Sequence, residues 1–214
     1  MIRAYDKVYL DKARTVLARM LDFAVWELGY GIDEFFAMFI KTGLAKRFAE
    51  GEFTLLVGMS GVELAYKVLE MSGIETKRIK VVYASDRSKE YWVGWALAYY
   101  QWYTALSFKE IVEFISLEDI RALYSPYHEM DIRHFVDKLN ELYKSARVES
   151  NLKTIRKNAG LSQNELAELS GVPLRTIQQY EQRKKNINNA KAVYLIMLAK
   201  ALVCNVDDLI EKVA

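Results

Sequence analysis

An all-α chain, with a multi-helix amino-terminal region followed by a smaller helical domain, is predicted by three observations. Apolar residues recur at three- and four-residue spacing through most of the sequence instead of alternating, the pattern of helices with one buried face. Only Pro126 and Pro173 interrupt the backbone as prolines. Serines followed three positions later by glutamate, at Ser60, Ser107 and Ser162, mark helix starts in which each residue of the pair satisfies the other's amide. With 214 residues, 52% of them hydrophobic, the chain can bury a substantial core as one large domain or two ordinary ones.

The elements follow one another closely. A first helix is predicted over residues 6–28, with Leu10, Ala13, Leu17, Met20, Ala24 and Leu28 along one face and Gly29 and Gly31 ending it. Asp33 opens a second, carrying Phe35, Phe36, Phe39 and Ile40 as far as Gly43, and residues 44–50 form another turn or two before Gly51. Ser60 and Glu63 cap a helix running to Met71 and closed by Gly73. Residues 79–84 are the one segment with an extended pattern. Ser107 and Glu110 cap a further helix, residues 117–124 form another that Pro126 breaks, and residues 131–146 make the last long amphipathic helix of this region.

The most distinctive amino-terminal element begins near Ser88. It sets Tyr91, Trp95, Tyr99 and Trp102 along one face and Trp92, Ala96, Tyr99 and Tyr103 along a neighbouring one. A helix apolar on most sides belongs at the centre of a bundle. Large aromatic residues also anchor protein partners, so Trp92, Trp95, Tyr99 and Trp102 are the candidate partner surface.

The stretch from Leu161 to Lys185, LSQNELAELSGVPLRTIQQYEQRKK, reads as two short helices joined by a tight glycine turn. Ser162 and Glu165 cap the first helix, Leu166, Ala167 and Leu169 supply its buried stripe, and Gly171 turns the chain. Val172 and Ile177 anchor the second from inside, Pro173 fits its first turn, and Leu174, Arg175, Gln178 and Gln179 project outward. Exposed Arg and Gln side chains suit the edges of bases.

This segment, with an apolar helix over residues 192–202 and a closing VDDL at residues 206–209, resembles the DNA-binding domain of the Cro and phage-repressor family, the XRE type. The resemblance covers residues 151–210, leaves the rest of the chain unassigned, and implies a five-helix, repressor-like helix-turn-helix domain. By position it implies that Leu174, Arg175, Gln178 and Gln179 meet bases in the major groove, that Gln163 and Thr176 bind phosphates, and that Arg156 and Glu181 form an internal salt bridge. Lys184 and Lys185, just past the second helix, join the phosphate contacts. Two positions depart from the family's pattern. Leu174 stands where relatives carry a polar residue, so one base contact is apolar or absent, and Arg183 stands where they carry glycine, so it adopts a positive φ or a different turn.

Charge agrees modestly with that implication. The net charge is +2, but residues 151–214 hold 10 Lys and Arg against 6 Asp and Glu, while the first 150 hold 20 against 22. A basic domain gains affinity for nucleic acid by releasing counterions from phosphates. Cys204 is the only cysteine, which excludes a disulfide within the chain and a cysteine-based zinc site and fits a reducing compartment. The start of the chain lacks a secretory pattern, and the uncharged run over residues 91–108 is too polar at its centre for a good membrane span, so a cytoplasmic protein is expected.

Chemistry is sparse. No phosphate-binding glycine loop, HExxH or nucleophile elbow is present, and the two histidines, His128 and His134, come without a defined third and fourth metal ligand. Neither catalysis nor a cofactor nor a metal is expected. Two readings share the DNA chemistry: a homodimeric regulator, a repressor reading a near-palindromic operator, whose residues 1–146 dimerise, sense or bind a partner; or an antitoxin whose first domain binds a toxin while the domain at residues 151–214 regulates its own promoter. An enzyme with a DNA-binding tail is the third class. A short charged linker at residues 145–150, semi-helical in composition, separates the domains.

Overall fold

A computed structural model describes residues 3–80, 87–146 and 149–211. The chain divides into two compact units, Met1–Tyr143 and Lys144–Ala214, and the described residues are helices and connections with no strand among them.

The first unit is built around α1 (Leu10–Trp26), which follows a 3-10 turn at Lys7–Tyr9 capped by Asp6. Next come α2 (Ile32–Lys41), α3 (Leu44–Ala49), the single turn α4 (Phe53–Leu56) and α5 (Gly61–Met71), whose Ser60–Glu63 capping box has both bonds formed. Helix α6 (Lys89–Thr104) is capped by Ser88 and packs along α1. Gly94 makes that approach feasible, since a Cβ there would lie 2.6 Å from both the Ala18 Cα and the Leu17 carbonyl oxygen. The short helices α7 (Phe108–Val112), α8 (Leu117–Ala122) and α9 (Tyr124–Tyr127) follow, then α10 (Ile132–Ala146).

Phe36, Phe39, Phe48 and Phe108 bring α2, α3 and α7 together, with ring centroids 5.5–6.1 Å apart in tilted and edge-on arrangements that suit aromatic quadrupoles. Around α6 the burial nearly closes. Val93, Ala96, Leu97, Ala98 and Tyr100 are fully enclosed, the last with its hydroxyl donating to Asn140 Oδ1 at 3.0 Å. Of the four aromatic residues expected as a partner surface, two are buried, Trp92 at 9% and Trp102 at 6% exposure. Trp92 packs edge-on against Phe135 of α10, and Trp102 donates its indole N–H to the Tyr5 carbonyl, so both rings belong to the unit's own interior. Trp95 and Tyr99 are half-buried beneath the Arg14 guanidinium, which lies 3.2 Å from the Trp95 ring centroid and 5.0 Å from that of Tyr99. Burial pushes the Arg14 pKa down to about 10.

The expected extended segment over residues 79–84 lies outside the described residues from Val81 onward, while the Ile79 amide donates to the Tyr66 hydroxyl at 2.9 Å. Of the expected linker, residues 147 and 148 also lie outside them.

The second unit contains α11 (Asn151–Asn158), α12 (Gln163–Ser170), α13 (Leu174–Glu181), a 3-10 turn at Ile187–Asn189, α14 (Ala192–Leu202) and α15 (Val206–Leu209). Leu152, Leu166, Val172, Ile177, Leu198 and Leu209 bring all five α-helices of the unit into one core. Leu169, expected in the buried stripe of α12, is instead 64% exposed. Leu166 and Ser170 are the buried residues of that helix, with Ala167 beside them, and Leu169 falls on the far side of Leu166, about 100° from the centre of that face.

Candidate DNA interface

Helix α12 begins where Ser162 and Glu165 cap each other: the Ser162 amide donates to the Glu165 carboxylate at 2.7 Å and the Glu165 amide to Ser162 Oγ at 3.2 Å. Those bonds hold the Glu165 carboxyl below the usual carboxylate range. The helix ends at Gly171, whose φ of 70° and ψ of 6° are left-handed, with its amide bonded to the Ala167 carbonyl. Pro173 stands at the cap of α13, just ahead of its first helical residue.

The two sides of α13 differ as its sequence demands. Ile177, Tyr180 and Glu181 face inward. On the other side Arg175 is exposed, and Leu174, Thr176, Gln178 and Gln179 are half-buried. Lys184 and Lys185 follow, both exposed.

Behind the helix, Arg156 of α11 grips the Glu181 carboxylate with two donors, Nε at 2.6 Å and Nη2 at 3.0 Å, while its Nη1 donates to the Leu161 carbonyl at 2.6 Å. The Glu181 side chain is 1% exposed and that of Arg156 9%. A fork-shaped guanidinium meeting a carboxylate on two bonds is the strong form of this contact, and it raises the Arg156 pKa. Gln163, the first residue of α12, adds a third donor, its Nε2 reaching Glu181 Oε2 at 2.7 Å. One carboxylate thus joins α11, α12 and α13.

Arg183 adopts a φ of 54°, so the residue in the usual glycine place takes the left-handed turn instead of avoiding it. Its guanidinium turns back into the unit, donating to the Glu149 carbonyl at 3.0 Å and standing 4.0 Å from Glu211. Sequence reasoning missed four residue pairs here. Glu149 holds Lys153 at 3.1 Å and also Lys157, so one carboxylate offsets part of the charge of two basic residues. The Asn188 side chain bonds both the amide and the carbonyl of Glu211, and the Asn151 side chain donates to the Ile210 carbonyl at 2.8 Å. Only the Glu149–Lys153 pair, four apart, left a readable signal.

Elsewhere, no group of three or more His, Cys, Asp or Glu is placed to hold a metal ion among the described residues, and no helix among them is long and apolar enough to cross a membrane. His128 lies stacked on Tyr124 in the first unit, with centroids 4.0 Å apart, and His134 is exposed on α10.

Two helices crossing at a left-handed glycine, the second presenting polar side chains outward and tied from behind, make the second unit a DNA-binding helix-turn-helix domain. Consistently, residues 152–209 match the family model described as helix-turn-helix, of the XRE type, and the remainder of the chain is unassigned. No curated protein and no solved structure matches the chain.

Proposed function

We propose that the protein is a transcriptional regulator, a repressor, that lays α13 in the major groove of a duplex. The observation that carries this reading is the outward row on that helix, Arg175 with Leu174, Gln178 and Gln179, opposite a face anchored by Ile177 and Tyr180. Arg and Gln offer paired donors and acceptors to guanine and adenine edges, and Leu174 offers an apolar contact to a thymine methyl. Gln163, Thr176, Lys184 and Lys185 hold the backbone in this arrangement, fixing register without reading sequence. A homodimer would read two half-sites about 34 Å apart in a near-palindrome. Residues 1–146 then supply dimerisation, sensing or partner binding. The burial of Trp92 and Trp102 lends no support to the alternative in which those residues engage a toxin.

The test is selection of bound fragments from genomic DNA, beginning with the gene's own upstream region, followed by competition against random duplex at moderate ionic strength. Recovery of a symmetric site supports the reading. Equal affinity for selected and random duplexes rejects it.

A further inference from the structure

Beside the aromatic face of α6 lies a cleft of about 220 Å³, wholly within the first unit. Trp92 and Trp95 form its wall, with Tyr91 on the same helix and Tyr124 and His128 across from them. The rings are held firmly: Tyr124 meets Trp92 edge-on at 5.6 Å and lies flat on His128 at 4.0 Å, while Trp95 is braced by Arg14. Pre-set aromatic walls lose little freedom when a flat molecule enters.

Charge selects among flat molecules. The Arg87 guanidinium stands 4.9 Å from the Tyr91 ring centroid and the Lys89 ammonium 5.7 Å from that of Tyr124, and neither is paired with a carboxylate among the described residues. Of the carboxylates that touch the lining, Asp22 is committed, accepting from Ser88 at 2.6 Å and pairing with Arg19, while Glu129 stands 3.5 Å from His128 Nε2 with its side chain exposed. A cation entering this ring of aromatics would find the π-faces at its mouth already taken by like charge. An acid group would find the Arg87 guanidinium in the lining.

We infer that the cleft is a binding site for a small aromatic carboxylate, its ring between Trp92, Trp95 and Tyr91 and its acid group on Arg87. The volume is below the roughly 300–1,000 Å³ usual for drug-sized ligands, which limits the guest to one ring or two fused rings. This inference concerns the first unit alone and does not depend on the DNA reading.

Calorimetric titration of the full chain, without DNA, tests it with four probes: benzoate, indole-3-acetate, indole-3-acetamide and phenyltrimethylammonium. At least one carboxylate should bind saturably below about 1 mM, with the neutral amide about tenfold weaker than its acid and the ammonium compound silent. Arg87→Ala, a change at an exposed position, should weaken the carboxylate about tenfold and leave the amide unchanged, with near-ultraviolet circular dichroism confirming the fold. No saturable carboxylate binding, tighter binding of the ammonium compound, or a carboxylate affinity indifferent to Arg87→Ala would each overturn the assignment.

Discussion

Gln163 donates its side-chain N–H to the Glu181 carboxylate at 2.7 Å, so the first residue of one helix is tied to the last residue of the next. Because this bond adds to two from Arg156, Gln163→Ala should lower unfolding free energy by only about 1 kcal/mol. Gln163→Glu should cost more, since it brings a second carboxylate against the first. Urea midpoints of the two variants, read at constant slope, decide the order.

Arg156→Ala is the more severe change. It leaves the Glu181 carboxylate enclosed, with Gln163 as its remaining side-chain donor. A loss of about 3 kcal/mol is expected, the usual scale for breaking one side of a buried pair. Stability equal to the parent protein would remove Arg156 from its structural role.

On the proposed DNA face, base and phosphate contacts separate by what they do to specificity. Arg175→Ala or Gln178→Ala should cost about 1–3 kcal/mol on the preferred site and relax preference at one base position. Lys184→Ala should weaken all duplexes alike and reduce the slope of log affinity against log salt by about one. A binding titration at four salt concentrations, on selected and random duplexes, distinguishes the two patterns.

Val203 sits just past the end of α14 with a φ of 53° and ψ of 45°, and it is 93% exposed. A β-branched side chain in a left-handed conformation is strained, and here it buries nothing in return. Val203→Asn should therefore raise stability by about 1 kcal/mol, seen as a higher denaturant midpoint.

What could be read from the sequence was local. Ser162 with Glu165 and Gly171 carry their conformations in their own chemistry, and both ends of α12 were legible from them. Leu169 was misread because helical periodicity tells which residues share a stripe, not how much of it the neighbours cover. The left-handed turn at Val203 had no signal at all. It is imposed by the helix terminus, where the Cys204 amide reaches back to the Ala199 carbonyl at 3.0 Å. The single turn α4 was missed for a similar reason, since its exposed Phe53 breaks the apolar pattern. Around α6, uniform apolarity forecast an enclosed helix but could not say that Trp92 and Trp102 would be mostly buried while Trp95 and Tyr99 stay more open. Gln163 was legible only as a polar residue at a helix start; its partner eighteen residues away depends on how the two helices cross.

The hydrogen that stands for a side chain at residue 94 has a reach well beyond its own size. Its neighbour in the chain is Trp95, so the spacing that lets α1 and α6 touch at Ala18 also sets how close the indole comes to the Arg14 guanidinium. One extra methyl would act as a wedge between the two backbones and tilt the indole off its cationic brace.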